Sequence, residues 1–233
     1  MIAASAAQAV PVQLIGNGGF ETGTFSPWAT STTGSGAFLV NGNGSPEGVL
    51  GYPTQTLAGG QNFVAVASQE DLSVMVLRQQ FTKLASYTSL VLDFDWFARS
   101  FASFSGSNLA FNSGAQVMRV DITTSSASAF TTTTGLVQNL MLNQGVVDNN
   151  EESMGAPWQH FNIDLSSLAA GTYYLRFAVN YGIDLLHMGV DNVSLFAEQP
   201  APPPPPGPAP VLAPAAWGLL GLGLISLRTL RRA

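Results

Sequence analysis

Hydrophobic and polar residues alternate in short segments along most of the chain, and the spacing typical of amphipathic helices is almost absent before residue 199. Alternation with period two, in segments rich in β-branched and aromatic residues, predicts strands. The segments with this pattern are Phe63–Ala67, Val74–Phe81, Leu90–Phe97, Gln116–Thr123, Trp158–Asp164, Thr172–Tyr181 and Val190–Phe196. Seven or more short strands without helical crossovers predict an all-β antiparallel β-sandwich, or jelly roll.

Two stretches rich in Ser, Thr, Asn and Gly interrupt this pattern. Residues 101–114 and 125–152 lack sustained alternation. Such composition is typical of turns and connecting segments. We therefore expect long loops or irregular hairpins in both places.

The segment Leu90–Phe97 predicts a strand with two different faces. One face is wholly hydrophobic and consists of Leu90, Leu92, Phe94 and Trp96. The opposite face carries Asp93 and Asp95, which point to the same side because they are two residues apart. On a solvated face these carboxylates either hold a cation or a sugar hydroxyl, or simply make that face polar.

The composition changes after residue 199. Residues 200–210 are mostly proline and predict an extended linker. Val211–Leu227 contains no charged residue, and its length is close to the lower limit of about 17–25 residues for a helix that spans a bilayer. The arginines that follow favour a cytoplasmic C-terminus. The alternative is a short helix buried in the globular domain.

The N-terminus also carries a processing pattern. Ala7-Gln8-Ala9 has the small-x-small arrangement of a signal-peptidase site. We interpret residues 1–9 as the remnant of a signal peptide that begins further upstream, and the alternative is a disordered terminus. The chain then divides into a β-sandwich domain (10–198), a Pro-rich linker (199–210) and a C-terminal hydrophobic helix with a basic tail (211–233).

The charge of the chain excludes some partners. The formal net charge is −6, and all acidic residues precede Pro200. Nucleic acid is not expected as a partner, because phosphate binding needs clustered Lys and Arg. There is no cysteine, so disulfides, thiol nucleophiles and cysteine-ligated zinc are excluded.

The C-terminal succession of prolines, hydrophobic segment and arginines resembles the PEP-CTERM sorting signal of Gram-negative bacteria, which the membrane protease exosortase processes. Val211-Leu-Ala-Pro214 stands where that family has Val-Pro-Glu-Pro, and its first and last residues match. The resemblance implies export, transient anchoring in the inner membrane, and a cell-envelope or extracellular location. The implied signal residues are Pro214, Trp217, Arg228, Arg231 and Arg232.

Motifs at both ends of the domain resemble carbohydrate-binding-module jelly rolls of the galactose-binding-like group. The opening motif is Asn17-Gly-Gly-Phe-Glu-Thr-Gly-Thr-Phe-Ser-Pro-Trp28, and the closing strand is Val190-Asp-Asn-Val-Ser-Leu195. The segments that resemble internal strands of the family are Leu77–Phe81, Leu90–Trp96, Trp158–Leu165 and Gly171–Phe177. The resemblance implies that the first and last strands lie side by side, and that Trp28 and Trp158 pack in the core.

The same resemblance implies a structural calcium ion where the first and last strands meet. Carried over by motif, Glu21 and Asp191 supply carboxylate oxygens, and Asn17 supplies a side-chain or backbone oxygen. Calcium takes about 6–8 oxygen ligands from carboxylates, carbonyls and water. The alternative is that Glu21 and Asp191 are turn and strand carboxylates bonded to backbone N–H groups.

No motif for catalysis is present. The chain has no Gly-x-Ser-x-Gly elbow, no His-Glu-x-x-His and no glycine-rich phosphate loop. His160 and His187 lie in strand-like or turn contexts, and the acidic segment Asp148–Glu152 lacks the spacing of an EF-hand, so we expect a solvated loop there. No aromatic platform for a sugar ring is identifiable, since Trp96 alternates with hydrophobic residues and is expected to be buried.

The sequence therefore predicts an exported, non-enzymatic β-sandwich protein with a structural or adhesive role in exopolysaccharide, biofilm or the outer surface. The resemblance to carbohydrate-binding modules implies contact with extracellular polysaccharide. The alternative is a carbohydrate-binding, lectin-like module. A third hypothesis, a small glycosidase or esterase, requires two carboxylates in a cleft, or a serine near His160 or His187.

Overall fold

Two β-sheets make up the part of the chain that the computed structural model describes, which comprises residues 9–34, 36–42, 62–68, 73–100, 117–126, 135–142, 146–147, 158–181 and 186–200. These residues belong to the compact unit Gln8–Pro200. The strands are β1 (Val10–Gln13), β2 (Ala29–Thr33), β3 (Ala37–Gly42), β4 (Asn62–Ser68), β5 (Ser73–Lys83), β6 (Ser89–Ser100), β7 (Val117–Thr123), β8 (Leu136–Leu142), β9 (Val146–Val147), β10 (Gln159–Asp164), β11 (Gly171–Tyr181) and β12 (Leu186–Gln199).

The strands are divided between a seven-stranded and a five-stranded sheet. The seven-stranded sheet has the order β10-β6-β12-β4-β3, with β1 also on β12 and β9 also on β6. The five-stranded sheet has the order β2-β5-β11-β7-β8. Neighbouring strands are antiparallel except for the short parallel pair β6–β9. The predicted all-β antiparallel sandwich is confirmed for the described residues.

All seven predicted strands are present, and β1, β2, β3, β8 and β9 are additional. Strand β2 consists of Ala, Ser and Thr with little burial, so it has no hydrophobic alternation to detect. Strand β8 lies inside residues 125–152 and pairs antiparallel with β7, with two shifts in register, so this part forms an irregular hairpin as predicted. The predicted loop 101–114 lies outside the described residues.

The C-terminal predictions also lie outside the described residues. They concern the Pro-rich linker from residue 201 onward, the hydrophobic helix, and the sorting residues Pro214, Trp217, Arg228, Arg231 and Arg232. Among the residues that are described, no helix is long and hydrophobic enough to cross a membrane.

The core lies between the two sheets and is centred on aromatic side chains. The hydrophobic face of β6 points into it, and Leu90, Leu92, Phe94 and Trp96 are fully buried. The ring of Phe177 from β11 lies 5.3 Å from that of Phe94 and 6.2 Å from that of Trp96, measured between centroids. The predicted burial of Trp96 and Trp28 is confirmed.

The outward side of the five-stranded sheet is closed to solvent at its centre. Arg119 and Asp121 on β7 and Arg176 on β11 are almost completely buried. Arg176 binds Asp121 through two hydrogen bonds of 2.8 and 2.9 Å, and Arg119 Nε lies 2.8 Å from Asp121 Oδ2. Burial lowers the pKa of Arg119 to about 10. Removing the shared carboxylate would leave buried guanidinium groups unpaired, which is strongly destabilising, so we interpret this cluster as structural.

The first and last strands pair, as the resemblance implied, and the chain after β1 continues along β12. Val10–Gln13 pairs with Phe196–Gln199, and Leu14 N then donates to Leu195 O at 2.9 Å. Further on, Val193 N donates to Gly18 O at 3.0 Å. A Cβ atom at Gly18 would lie 1.7 Å from the Val193 carbonyl oxygen, so only glycine permits this approach.

Replacing this glycine tests the junction. Gly18→Ala should lower the free energy of unfolding by at least about 2 kcal/mol, because the new methyl group displaces backbone rather than a flexible side chain. Gly19→Ala is the matched control, since a Cβ there meets its nearest neighbours at 3.7–3.9 Å, an ordinary contact distance. Urea unfolding of both variants measures the difference, and equal stabilities would contradict the description.

Candidate functional site

The outer face of the seven-stranded sheet carries a row of polar side chains on β10, β6 and β12. Phe161 and Ile163 of β10 pack toward the core, so His160 and Asn162 point outward by alternation. In register, His160 is paired with Asp95 and Asn162 with Asp93, while Asp191 of β12 is paired with Asp95 on the other side. We call Asp93, Asp95, His160, Asn162 and Asn192 the polar strip.

Hydrogen bonds connect the members of the polar strip. His160 Nδ1 lies 2.9 Å from Asp95 Oδ1, and His160 Nε2 lies 3.5 Å from Asp93 Oδ1. Asn162 Nδ2 donates to Asp93 Oδ1 at 2.6 Å, and Asn192 Nδ2 donates to Asp95 Oδ2 at 2.8 Å. The His160 side chain is 62% exposed and the two aspartates about a quarter, 27% and 20%. These groups are therefore fixed by one another and open to solvent.

Aromatic side chains adjoin the polar strip at one end. The rings of Phe97 and Trp158 lie 4.6 Å apart in an edge-to-face arrangement. Phe97 covers Gly189 of the neighbouring strand, where a Cβ would lie 1.9 Å from the Phe97 ring. Trp158 is half-buried and lies outside the main core cluster. The expectation that Trp158 packs in the core was wrong, because it precedes β10 on the same alternating face as His160.

A bulge in β12 shapes the other end of the strip. The pairing of β12 with β6 shifts register between Asp191 and Ser194, and Asn192 adopts a left-handed backbone with φ 51°. Its peptide N–H donates to Asp191 Oδ1 at 2.7 Å. The bulge thus turns the Asn192 side chain toward Asp95, since an extra residue in a strand redirects its side chains.

Asp191 lies in a pocket between the bulge and the loop after β1. It is fully buried, and its Oδ2 atom has no hydrogen-bond partner in the part of the chain that the structure describes. The position that a Cβ of Gly19 would take lies 3.9 Å from both Asp191 Oδ1 and Asn192 Oδ1, and 3.7 Å from Glu21 Cγ. Gly19 therefore leaves open a space that these oxygen-bearing side chains surround. We call this space the Asp191 pocket.

Unfavourable backbone conformations cluster around the Asp191 pocket. Asn17, Phe20 and Asn192 have φ values of 49°, 53° and 51°. Such values are unusual for residues other than glycine, above all for a bulky one such as Phe20. Strain of this kind persists only where the surrounding structure enforces it, and it is concentrated at functional sites.

The pKa values of Asp191 and of His160 in the polar strip are both shifted. Burial raises the pKa of Asp191 to about 7; the Asn192 N–H opposes this shift, and the charges of Glu21 and Asp95 add to it. The hydrogen bond to Asp95 raises the pKa of His160. The two pKa values are thus raised by different main causes, burial for Asp191 and a hydrogen bond for His160, and nearby carboxylates add to both shifts.

The three residues predicted to bind calcium lie in this region, but only two of them border the pocket. Asp191 and Glu21 both border the Asp191 pocket. Asn17 holds the loop: its Nδ2 donates to Thr24 O and Ser26 O at 2.7 and 3.0 Å, and its carbonyl accepts the Trp28 indole N–H at 3.1 Å. Among the described residues, no group of three or more His, Asp or Glu side chains is arranged to hold a metal ion. Calcium binding therefore stays a prediction.

Sequence reasoning missed several members of this site. His160, Asn162 and Asn192 were not predicted as a group, and only the shared face of Asp93 and Asp95 was recognised. The detectable signal is the alternation Trp158, His160, Asn162 along β10, which matches the alternation on β6. The side chain of His187 and the acidic segment 148–152 lie outside the described residues.

Comparison with known proteins reveals likeness of fold. No protein-family model and no curated protein sequence matches the chain. Among solved structures, TmCBM61 in complex with β-1,4-galactotriose is similar with 16% identity and a TM-score of 0.48, over 80% of this chain and 99% of that one. The K1 cleaved adhesin domain of Lys-gingipain from Porphyromonas gingivalis has 14% identity and a TM-score of 0.47, over 82% and 97%.

Another carbohydrate-binding module has a weaker similarity. The family 11 module from Clostridium thermocellum in complex with a β-1,3-1,4-mixed-linked tetrasaccharide has 9% identity and a TM-score of 0.38, over 82% of this chain and 96% of that one. A glycoside hydrolase domain is also similar, over 22% of its chain. At these identities the likeness concerns the β-sandwich alone.

The buried carboxyl group of Asp191 should make the stability of the protein depend on pH. Because the pKa of Asp191 is raised in the folded protein, its contribution to stability is complete below the unfolded pKa of about 3.9 and is lost as the pH rises through about 7. With a chelator present, Asp191→Asn should therefore stabilise the protein at pH 8 by a few kcal/mol and have little effect at pH 4. Thermal unfolding across this range measures it, and an equal effect at both pH values would contradict the assignment.

Proposed function

We propose that this chain is a carbohydrate-binding protein whose polar strip, together with Trp158, holds an oligosaccharide. The observation that carries the proposal is the hydrogen-bonded array on the solvent-exposed face of the seven-stranded sheet, next to a half-buried tryptophan. This is the alternative from the sequence analysis, and the site supports it better than a purely structural role.

The chemistry of the strip suits a ligand with many hydroxyl groups. Hydroxyls donate to carboxylates such as Asp93 and accept from amide and imidazole N–H groups such as those of Asn162 and His160. Because these side chains already hold one another, binding requires little additional ordering of the protein. The indole of Trp158 provides hydrophobic surface and an N–H donor at the edge of the strip.

The strip supports binding better than hydrolysis. Both oxygens of Asp95 accept hydrogen bonds, from His160 and from Asn192. Asp93 is likewise engaged by Asn162. Carboxylates held in this way act as fixed acceptors for a ligand, and we propose that the protein has no catalytic activity of its own.

Binding is tested first with β-1,4-galactotriose and then on an array of neutral, acidic and amino-sugar oligosaccharides. Trp158→Ala should weaken binding of the best ligand about tenfold or more, since aromatic side chains dominate the energetics of such contacts. Thr82→Ala, an exposed position on the five-stranded sheet, serves as the control and should leave the Kd unchanged. No binding on the whole array, or equal affinity of all three proteins, would refute the proposal.

Calcium at the Asp191 pocket is the second part of the proposal. Asp191 and Glu21 would supply carboxylate oxygens, and backbone carbonyls and water would complete the set that this ion prefers. The pocket fits a cation because a buried oxygen of Asp191 has no hydrogen-bond partner among the described residues, and because the charged groups that act on Asp191, Glu21 and Asp95, are also acidic. When bound, the ion would supply fixed positive charge between the first and last strands.

Calcium should raise the melting temperature of the protein at pH 8, because a ligand that binds only the folded state stabilises it. Asp191→Ala should abolish this shift. The control is Asp164→Ala, whose exposed carboxylate lies on the far edge strand, and it should keep the shift. A wild-type melting temperature that does not respond to millimolar calcium would eliminate the cation site.

We further propose that the protein is exported and sorted to the cell envelope by its C-terminal segment, where it acts in adhesion or in the polysaccharide matrix. The support is the succession of proline run, hydrophobic segment and arginine tail. Deletion of residues 211–233 should release the protein unprocessed into the periplasm or medium, as fractionation and immunoblotting would show. Unchanged surface localisation of the truncated chain would refute the sorting proposal.

A further inference from the structure

We infer that Asn192 is a positioning residue that couples the cation-binding Asp191 pocket to the ligand-binding polar strip. This inference rests on the calcium site of the proposed function. Through the Asn192 side chain, a cation bound in the Asp191 pocket would affect the polar strip on the neighbouring strands.

The path is a continuous chain of hydrogen bonds across three strands. It begins at Asp191 Oδ1, which accepts the Asn192 N–H at 2.7 Å. The Asn192 amide then donates to Asp95 Oδ2 at 2.8 Å. The other oxygen of Asp95 lies 2.9 Å from His160 Nδ1. Asn192 is thus the member that contacts both the pocket and the strip.

The backbone of Asn192 makes this double contact feasible. The residue lies in the bulge with φ 51°, a conformation that asparagine tolerates better than most residues. Its N–H therefore points to its own neighbour Asp191 while its side chain reaches across to β6. In a regular strand, successive residues point to opposite faces, and a residue directly after Asp191 would point into the core.

A cation at Asp191 changes the electrostatics of the strip. Asp191 and Asp95 are paired in register, so positive charge in the pocket offsets the negative charge that favours the protonated form of His160. The charged groups that face His160 are Asp95 and Asp93 on β6, with Asp191 behind Asp95 on β12. Calcium should therefore lower the pKa of His160, and protonation of His160 should weaken calcium binding by the same factor.

The role of Asn192 is to keep Asp95 directed toward the pocket. Without the amide, the Asp95 carboxylate is held from only one side, by His160, and can turn toward solvent. Water then screens the influence of the cation more effectively. The bond to the amide thus makes the strip sensitive to whether the pocket is occupied.

The test is an NMR titration of the His160 ring in the full chain, with a chelator and at saturating calcium. In the wild type, calcium should lower the pKa of His160 by about 0.5 unit, the size expected for a divalent charge roughly 10 Å away in a largely aqueous medium. Asn192→Gly keeps the left-handed backbone and the N–H to Asp191 but removes the amide. Because Asn192 Oδ1 also borders the Asp191 pocket, calorimetry first establishes the calcium concentration that saturates this variant, and at saturation less than half of the shift should remain.

Asn162→Ala is the matched control, because it removes the equivalent amide–carboxylate bond on the far side of His160, at Asp93. It should keep the full calcium-induced shift. A shift in Asn192→Gly equal to that of the wild type would overturn the coupling and leave the calcium site intact. If calcium binds the wild type but leaves the His160 pKa unchanged, the coupling is likewise overturned and the calcium site is kept. If the wild type binds no calcium, both the coupling and the calcium site are overturned.

Discussion

The contact between the chain after β1 and the bulge of β12 determines the geometry of the whole site. Val193 donates to the Gly18 carbonyl, and the absence of a side chain at Gly18 lets the two backbones approach. This contact closes the edge of β12 and buries Asp191 beneath the loop. Asn17, Phe20 and Asn192, which flank this contact in sequence, have left-handed conformations. The local strain is compensated by the core, since Phe20 is fully buried next to Trp28.

The outward charges of the two sheets differ in their surroundings. On the five-stranded sheet the outward charges are largely buried: Arg119 and Arg176 both contact Asp121, and Arg78 is paired in register with Arg176. The outward charges of the seven-stranded sheet reach solvent, and its one buried carboxylate, Asp191, has an oxygen without a partner. Charges that are satisfied internally contribute to the fold. Polar groups that remain open to solvent are available for a ligand, and for this reason we propose the polar strip as the binding surface.

The sequence predicted the sheets well because β6, β11 and β12 alternate clearly and are flanked by turn residues. It also placed Asp93 and Asp95 on one face, since this follows from period two alone. It missed β2, whose threonines carry no hydrophobic signal, and it missed His160 and Asn162, whose proximity to these aspartates depends on the register of β10 with β6. Register and bulges arise from pairing between distant segments, so neither the left-handed Asn192 nor the burial of Asp191 could be derived from local pattern.

The most direct test of the account is to map a bound oligosaccharide on the protein by NMR chemical shifts, with whichever sugar binds best on the array. The account predicts that the largest changes fall on the Trp158 indole, the His160 ring and the side-chain amides of Asn162 and Asn192, with few changes on the five-stranded sheet. Changes confined to the five-stranded sheet, or to loops away from β6 and β10, would contradict it.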